Sequence, residues 1–335
     1  MSTFVTGANG LLGGTIVRAL VERGEHVTCL VRSRDRAREV LGDLPVELRE
    51  GDLEQLAATP AWLRGIDVVH HCAAYFREYY APAPPGGHER ALTRHNVDAV
   101  RNLLLAADAA GVGTLVHIST IGVHGGTDEQ PADEQSPPSA KALENLYHRS
   151  KARSEEVVAE LAPSLSVQVP VVRPGWLFGP GDAAPTSSGK LVQDVVAGAL
   201  PAFPPGGNHA TDARDVAQAC LAAAAHGGSG STYIVAAPWQ PMTDIITTIA
   251  DAGGVRPPRL RMPVPVALGV ATLSEWQARV TGGVPLATRD GIRALTETRR
   301  VTSARAEREL GATFRPFTQT AQDQIAWLRT SRRVA

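Results

Sequence analysis

The sequence predicts an α/β fold, in which a doubly wound parallel sheet is joined to a smaller, mostly helical C-terminal lobe. Strand-like and helix-like segments alternate through the first half of the chain, a pattern typical of parallel strands covered by helices on both faces. A glycine-rich turn connects the first strand to the first helix. Beyond Pro174 the alternation gives way to proline- and glycine-rich stretches and helical pieces, which indicates a second unit.

Each element follows from hydrophobic periodicity and from the residues that end helices. Right-handed crossovers between such strands place a ligand at their carboxyl ends. Strands are predicted at residues 3–6, 26–31, 46–48, 67–71, 114–118, 167–172 and 232–236, and helices at 11–23, 89–110, 140–161 and 211–225.

The length of 335 residues exceeds that of one ordinary domain. We expect residues 1–175, rejoined by 208–238, to form a nucleotide-binding domain of the Rossmann type. Residues 176–207 and 239–330 are expected to form the smaller, substrate-binding lobe.

Composition excludes several classes of function. Thirty-three basic residues balance 34 acidic ones, so no basic excess points to nucleic acid or to an anionic membrane. The three cysteines, Cys29, Cys72 and Cys220, are far apart and predict no metal site. The chain has no basic leader and no run of about 18 apolar residues, so we expect a cytoplasmic protein.

A dinucleotide site is predicted where the first strand meets the first helix. The segment reads Thr6-Gly7-Ala8-Asn9-Gly10-Leu11-Leu12-Gly13. Glycine lets the backbone approach a pyrophosphate closely, and a helix N-terminus offers N–H groups and partial positive charge. In this context the spacing favours dinucleotide binding over a plain turn.

The end of the second strand indicates which dinucleotide binds. An acidic residue there would bond the ribose of NAD, whereas arginine accommodates the 2′-phosphate of NADP. This chain has Arg32-Ser33-Arg34-Asp35-Arg36, which is suited to charge-assisted contact with phosphate. We therefore expect NADP(H), led by Arg32 and Ser33, with NAD(H) as the alternative.

Two further strand ends complete the predicted cofactor site. Asp52, followed by Leu53, either accepts a hydrogen bond from adenine or caps the helix that follows. Cys72-Ala73-Ala74 ends the fourth strand with small residues, which would let a cofactor lie over the strand tip.

Catalytic chemistry is predicted for Tyr147 and Lys151, whose four-residue spacing puts them on one helix face. A free tyrosine has a pKa near 10, too high for easy proton transfer at neutral pH. A neighbouring cation lowers that pKa. Ser119 and Thr120 end the fifth strand, where a hydroxyl could meet the tyrosine.

In this order the motifs resemble those of the extended short-chain dehydrogenase/reductases, the NAD(P)-dependent epimerase/dehydratase family. The resemblance rests on the glycine turn, Asp52, Asn96, Ser119-Thr120, Tyr147-x-x-x-Lys151, Arg173-Pro174-Gly175 and the segment 212–216. It implies that Thr120 holds the substrate, Tyr147 is the acid/base, Lys151 bonds the nicotinamide ribose, and Asn96, Pro174 and Gly175 belong to the cofactor site. His124 departs from the tyrosine usual in the family. Members often pair through two long helices, so the resemblance also implies a homodimer.

Within that family, the arginine after the second strand and the segment 311–317 resemble the dihydroflavonol-reductase-like branch, which reduces ketones or aldehydes with NADPH. Trp176 replaces the asparagine of the sugar-nucleotide branch. We expect a partly apolar small-molecule substrate, with a pocket walled by Tyr75, Phe76, Trp176 and Phe178 and by Tyr79 or Tyr80. A sugar-nucleotide epimerase or dehydratase is the alternative, and a non-catalytic NADP(H) sensor is a third. Arg256, Arg259 and Arg261 could fold back over the pocket and would favour the epimerase.

Overall fold

The computed structural model describes residues 1–76, 83–84, 86–258, 260–281, 289–296 and 298–331. Its strands are β1 (Ser2–Thr6), β2 (His26–Val31), β3 (Glu47–Glu50), β4 (Val68–His71), β5 (Thr114–Ile118), β6 (Val171–Pro174), β7 (Trp176–Phe178), β8 (Ala202–Phe203), β9 (Gly207–Asn208), β10 (Ala210–Asp212), β11 (Thr232–Val235), β12 (Gln240–Pro241) and β13 (Leu260–Arg261).

The helices alternate with the strands in the first half and dominate the last third. They are α1 (Leu11–Glu22), α2 (Arg34–Leu41), α3 (Leu53–Ala58), α4 (Gly87–Leu92), α5 (Ala99–Ala109), α6 (Leu146–Leu161), α7 (Ser187–Val196), α8 (Ala213–His226), α9 (Met242–Gly253), α10 (Val264–Thr281), α11 (Arg289–Thr296), α12 (Ala304–Leu310) and α13 (Phe317–Thr330). Within the described residues, none is both long and apolar enough to cross a bilayer.

The central sheet has seven strands in the order β11-β6-β5-β4-β1-β2-β3, and all its pairs are parallel. This confirms the predicted doubly wound sheet. The register aligns Thr6 with His71 and His71 with His117. Three polar side chains therefore cross the sheet in one row near the carboxyl ends of the strands.

Three elements differ notably from the sequence prediction. Helix α6 begins at Leu146 rather than near residue 140, because the Asn145 side chain accepts from the His148 N–H and caps the helix. Strand β6 begins at Val171, after Pro170, which has no N–H to offer a ladder. The helix predicted at 89–110 contains a π-helical segment at Thr93–Asp98 between α4 and α5.

Apolar residues pack into a cluster on each face of the sheet. Helices α1 and α8 cover one face, and α5 and α6 cover the other. A separate cluster joins residues of β7, α7, α9 and α13, and we call this cluster the lobe core. It draws on both chain segments that the sequence assigned to the smaller lobe.

Candidate active site

The glycine turn between β1 and α1 is held by close backbone contacts. Gly7 has a φ of +72°, and a Cβ there would lie 2.6 Å from the Ala73 nitrogen. A Cβ at Gly13 would lie 2.3 Å from the Gly7 carbonyl oxygen. Any side chain at these positions would push the turn away from the strand tips, so glycine is required by packing alone.

This turn also fits a pyrophosphate. Gly10 provides no side-chain cap for α1, and the first turn of that helix carries no acidic residue. The N–H groups of Leu11, Leu12 and Gly13 thus start a helix that lacks a capping group of its own. Asn9 Oδ1 is buried, and no described donor reaches it. The residues present fit the dinucleotide predicted from the sequence.

Thr6 has a structural part in this arrangement. Its side chain is fully buried, and its hydroxyl oxygen accepts from the Ala73 N–H at 3.2 Å and lies 2.8 Å from His71 Nδ1. Thr6 therefore ties the end of β1 to the end of β4. Burial raises the pKa of the Cys72 thiol to about 12, so this residue beside the strand tip is a neutral thiol.

The end of β2 carries the residues assigned to the 2′-phosphate. Arg32 is exposed, and Ser33 caps α2 by accepting from the Arg36 N–H. The Ser33 hydroxyl hydrogen is not used in that cap. Arg34 lies 3.7 Å from the Glu50 carboxylate, which satisfies part of its charge. Arg32 and Ser33 stay the predicted phosphate contacts, because they directly follow the end of β2.

Asp52, for which the sequence left open a contact with adenine or a helix cap, caps the helix. Its Oδ1 accepts from the Gln55 N–H at 2.8 Å, and the Gln55 side chain accepts from the Asp52 N–H at 3.1 Å. The pair forms a reciprocal capping box at the start of α3, immediately before Leu53. A contact with adenine would be an additional role for this carboxylate.

Asn96 departs from its predicted role in the cofactor site. It is buried in the π-helical segment. Its Oδ1 accepts from the Tyr75 N–H at 2.7 Å, and its amide group donates to the Tyr75 carbonyl and to Ser150 Oγ. Both amide hydrogens are thus used inside the protein. Asn96 anchors the segment after β4 against α6, so we assign it a positioning role rather than a cofactor contact.

Lys151 lies at the centre of the candidate site and is only 2% exposed. Burial lowers the pKa of its ammonium from 10.5 to about 8, while the nearby Glu155 carboxylate raises it. Tyr147 lies one helical turn earlier on α6 and is half-buried. The four-residue spacing puts the two side chains on one face of α6, and a nearby ammonium in general favours the phenolate form of a tyrosine.

The two hydroxyls at the end of β5 behave differently. Thr120 Oγ1 accepts from the Gly122 N–H at 3.0 Å and begins a 3₁₀ turn. Ser119 Oγ is buried, and no hydrogen-bond partner reaches it from the described residues. Thr120 thus keeps its hydroxyl hydrogen to offer to a ligand, and Ser119 has an unsatisfied polar atom beside it.

His117 takes part in a hydrogen-bond network with Ser154 and the Lys151 backbone, which was not predicted from the sequence. His117 Nε2 lies 3.0 Å from Ser154 Oγ, and the Ser154 hydroxyl donates to the Lys151 carbonyl at 2.7 Å. Because that hydroxyl has a single hydrogen, His117 must donate through Nε2. Its Nδ1 is then an acceptor, and no described donor reaches it. The His71 ring stacks on His117 at 5.7 Å between centroids.

Both rings of this pair are neutral. Burial, and then the Lys151 ammonium, lower the pKa of His71 to about 3 and that of His117 well below its usual range. Only the alignment of β4 with β5 brings them together. In the sequence, the only indication of this pair was a histidine near the end of the fourth and of the fifth predicted strand.

His124, the departure from the family tyrosine, also has a structural partner. Its Nε2 accepts from Arg173 Nη1 at 3.0 Å, and Arg173 forms a partly buried ion pair with Glu155. Burial and then Arg173 lower the pKa of His124 to about 4, so the ring stays neutral and can accept. This chain connects β6, α6 and the turn after Thr120.

Pro174 and Gly175 follow at the end of β6. A Cβ at Gly175 would lie 2.3 Å from Thr211 Oγ1 and 2.7 Å from the His209 carbonyl oxygen. The approach of the segment around β10 therefore dictates glycine at this position. It leaves the backbone after β6 without a side chain at the strand tip, as the cofactor assignment requires.

Among the residues predicted to wall the pocket, Phe76 lies beside the candidate catalytic residue Tyr147. Its ring centroid is 4.8 Å from that of Tyr147. The Tyr75 hydroxyl lies 3.0 Å from His88 Nδ1. Trp176 is half-buried and packs against Phe178.

Two parts of the predicted wall change. Phe178 has no exposed surface and packs edge-on against Phe317 in the lobe core. We therefore assign Phe178 to the core and not to the pocket, because a side chain without accessible surface cannot contact a substrate. Tyr79 and Tyr80 lie outside the described residues.

Comparison with known proteins gives consistent matches. A family model described as NAD dependent epimerase/dehydratase family matches residues 3–236. "Sterol demethylase protein B" of Methylococcus capsulatus is 32% identical over 98% of each chain. "Putative dihydroflavonol 4-reductase" of Synechocystis sp. is 29% identical over 97% of this chain and 94% of the relative. The "4-hydroxy-2-methyl-3-oxo-4-farnesyl-3,4-dihydroquinoline-1-oxide ketoreductase" of Stigmatella aurantiaca is 30% identical over 97% and 96%.

Proposed function

Because this chain belongs to the NAD-dependent epimerase/dehydratase family, we propose that it is an NADPH-dependent reductase of a ketone or aldehyde group on a partly apolar small molecule, or catalyses the reverse alcohol oxidation. Membership confirms the resemblance drawn from the motifs, and relatives named as reductases support the dihydroflavonol-reductase-like branch. Substrate and cofactor preference are the parts that are proposed.

The contact between Phe76 and Tyr147 is the main observation that supports an apolar substrate. The aromatic ring lies 4.8 Å from the phenol ring that would give the proton. A substrate carbonyl within reach of Tyr147 would therefore lie beside an apolar surface. Names of relatives that refer to a sterol and to a farnesylated quinoline agree with an apolar substrate.

A nucleoside diphosphate fits this lobe poorly. Two phosphates need paired cationic donors. Between residues 178 and 210, Lys190 is the only lysine or arginine, and it is exposed and paired with Asp194 on its own helix. Arg256 and Arg261 are exposed, while Arg259 lies outside the described residues.

The roles of the residues follow from their positions. When bound, the cofactor supplies or accepts the hydride. Thr120 donates a hydrogen bond to the substrate oxygen, and Tyr147 gives that oxygen its proton. Lys151 stabilises the phenolate that remains and would bond the nicotinamide ribose. Leu11, Leu12 and Gly13 would hold the pyrophosphate through backbone N–H groups.

Preference for NADP(H) rests on Arg32 and Ser33. They lie where a 2′-phosphate would extend beyond the end of β2, and no carboxylate replaces them at that point. A guanidinium and a hydroxyl donate to a phosphate, whereas the ribose of NAD calls for an acceptor.

A cytoplasmic location and a homodimer remain part of the proposal. Leu105 on α5 is 47% exposed, and α5 is one of the helices through which two copies would pair. Light scattering of wild type and of Leu105→Asp checks the dimer.

The test is NADPH consumption with a panel of aromatic, terpenoid and polyketide-like ketones and aldehydes. Consumption with an apolar ketone, faster than with NADH, is the expected result. The NADP⁺ complex is then titrated calorimetrically with UDP and with UDP- and dTDP-sugars. Micromolar binding of these, or turnover without net redox change, would move the protein to the epimerases.

A further inference from the structure

Helix α10 presents its large apolar side chains to solvent. Leu273 is 63% exposed, Trp276 61% and Val280 68%, and Val266 and Val270 are exposed as well. At 100° per residue these five positions fall within about 120° of the helix circumference. They form one continuous face, which we call the α10 face.

The buried positions of the same helix carry small residues. Ala267, Ala271 and Ala278 are buried against the protein. An ordinary surface helix buries its large apolar residues and exposes polar ones. Helix α10 has the reverse arrangement, so its composition suits a helix with protein on one side and a second apolar medium on the other.

The chain segment that contains α10 is basic. Residues 256–296 contain six arginines and two carboxylates, although the whole chain has a net charge of −1. Arg261 lies three residues before the first residue of α10, and Arg289 and Arg293 lie on α11, which packs against α10; all three are exposed. Glu275, one of the two carboxylates, is paired with Arg289 across the two helices.

The size of the α10 face argues against a second copy of the chain as its cover. A helix of 18 residues is about 27 Å long and about 10 Å wide, so its face covers roughly 300 Å². Each partner of a stable dimer buries about 800 Å². A lipid surface sets no such minimum, because it can surround a single inserted helix face.

We propose that the α10 face inserts into the surface of an anionic phospholipid bilayer, with the exposed arginines of residues 256–296 against the lipid phosphates. Branched aliphatic residues with one tryptophan are the composition that lies at the boundary between headgroups and acyl chains. Arginines beside them add attraction to anionic lipid. No described helix can span the bilayer, so the contact is with its surface. This proposal does not depend on the identity of the substrate.

The test is flotation of the full chain with vesicles. Wild type should float with vesicles of phosphatidylglycerol and phosphatidylcholine, and at least tenfold less with phosphatidylcholine alone. Leu273→Asp combined with Trp276→Asp should lower binding at least tenfold, and Arg261→Ser combined with Arg293→Ser should lower it for the anionic vesicles only. Arg38→Ser combined with Arg308→Ser, at exposed positions on α2 and α12, is the matched control for charge and should bind like wild type.

Thermal melts show whether each variant folds, and all six positions are exposed, so folding should be retained. Failure of wild type to float with anionic vesicles would overturn the proposal. Unchanged flotation of the Leu273→Asp/Trp276→Asp protein would do the same. So would a wild-type dimer that this variant dissociates, because a second copy would then cover the face. NADPH turnover is measured separately and does not decide this question.

Discussion

His117 on β5 donates a hydrogen bond to Ser154 on α6 and thereby joins the strand that leads to Thr120 with the helix that carries Tyr147 and Lys151. The link is buried at both ends. It continues to the Lys151 carbonyl, so the spacing between the two groups of candidate catalytic residues is fixed inside the protein.

Ser154→Ala should destabilise the protein by about 1–3 kcal/mol, because it leaves the His117 Nε2–H buried without an acceptor. His117→Phe removes that donor, so the double variant should lose less stability than the two single losses together. Urea unfolding measures all three. Simple additivity would mean that the two side chains do not interact.

Lys151→Met should stabilise the cofactor-free protein at pH 7, on the order of 2–3 kcal/mol, while abolishing turnover. Burial lowers the pKa of the Lys151 ammonium to about 8, so the folded chain holds this proton less well than the unfolded chain does. Between about pH 8 and the unfolded value of 10.5, the unfolded state binds more protons and wild-type stability rises with pH.

The stability difference between wild type and Lys151→Met should therefore shrink as pH rises through that window. Urea unfolding of both proteins near neutral pH and near the upper end of the window checks this. A difference that is the same at both pH values would show that the buried charge is not its source.

Tyr147→Phe should fold, bind NADPH and lose turnover by about 10²–10⁴-fold, the usual contribution of a general acid. Tyr233→Phe is the matched control, since Tyr233 is buried in the sheet at β11 and should keep wild-type turnover. Steady-state rates and cofactor titration are the measurements. Comparable rates for the two variants would remove Tyr147 from the mechanism.

Arg32→Ala should weaken NADPH binding about tenfold or more, because a hydrogen bond to a charged group contributes about 1.5–3 kcal/mol. NADH binding should change little. Arg34→Ala is the comparison and should have a smaller effect, since Arg34 lies farther beyond the end of β2 than Arg32 does. Fluorescence titration with both cofactors measures these affinities. A wild-type preference for NADH would reverse the assignment of the site to NADP(H).

Local patterns predicted the sheet and the position of the site, because alternation and glycine spacing are encoded over short distances. They did not predict the role of Asn96, since its partner Tyr75 lies 21 residues away and hydrophobic periodicity does not distinguish a π-helical segment from an α-helix. The pairing of His117 with Ser154 depends on the packing of α6 against the sheet. The α10 face was missed because whole-chain net charge averages out a local excess of arginine.

The pairing of β6 with β11, the edge strand of the sheet, has a consequence for the synthesis of this chain. Strand β6 ends at Pro174, but its neighbour β11 begins only at Thr232. On the ribosome, the first six strands emerge before the strand that covers them. Until β11 arrives, β6 is an open edge of the kind that recruits other chains. Chaperone demand should therefore be greatest while the segment between these two strands is being translated.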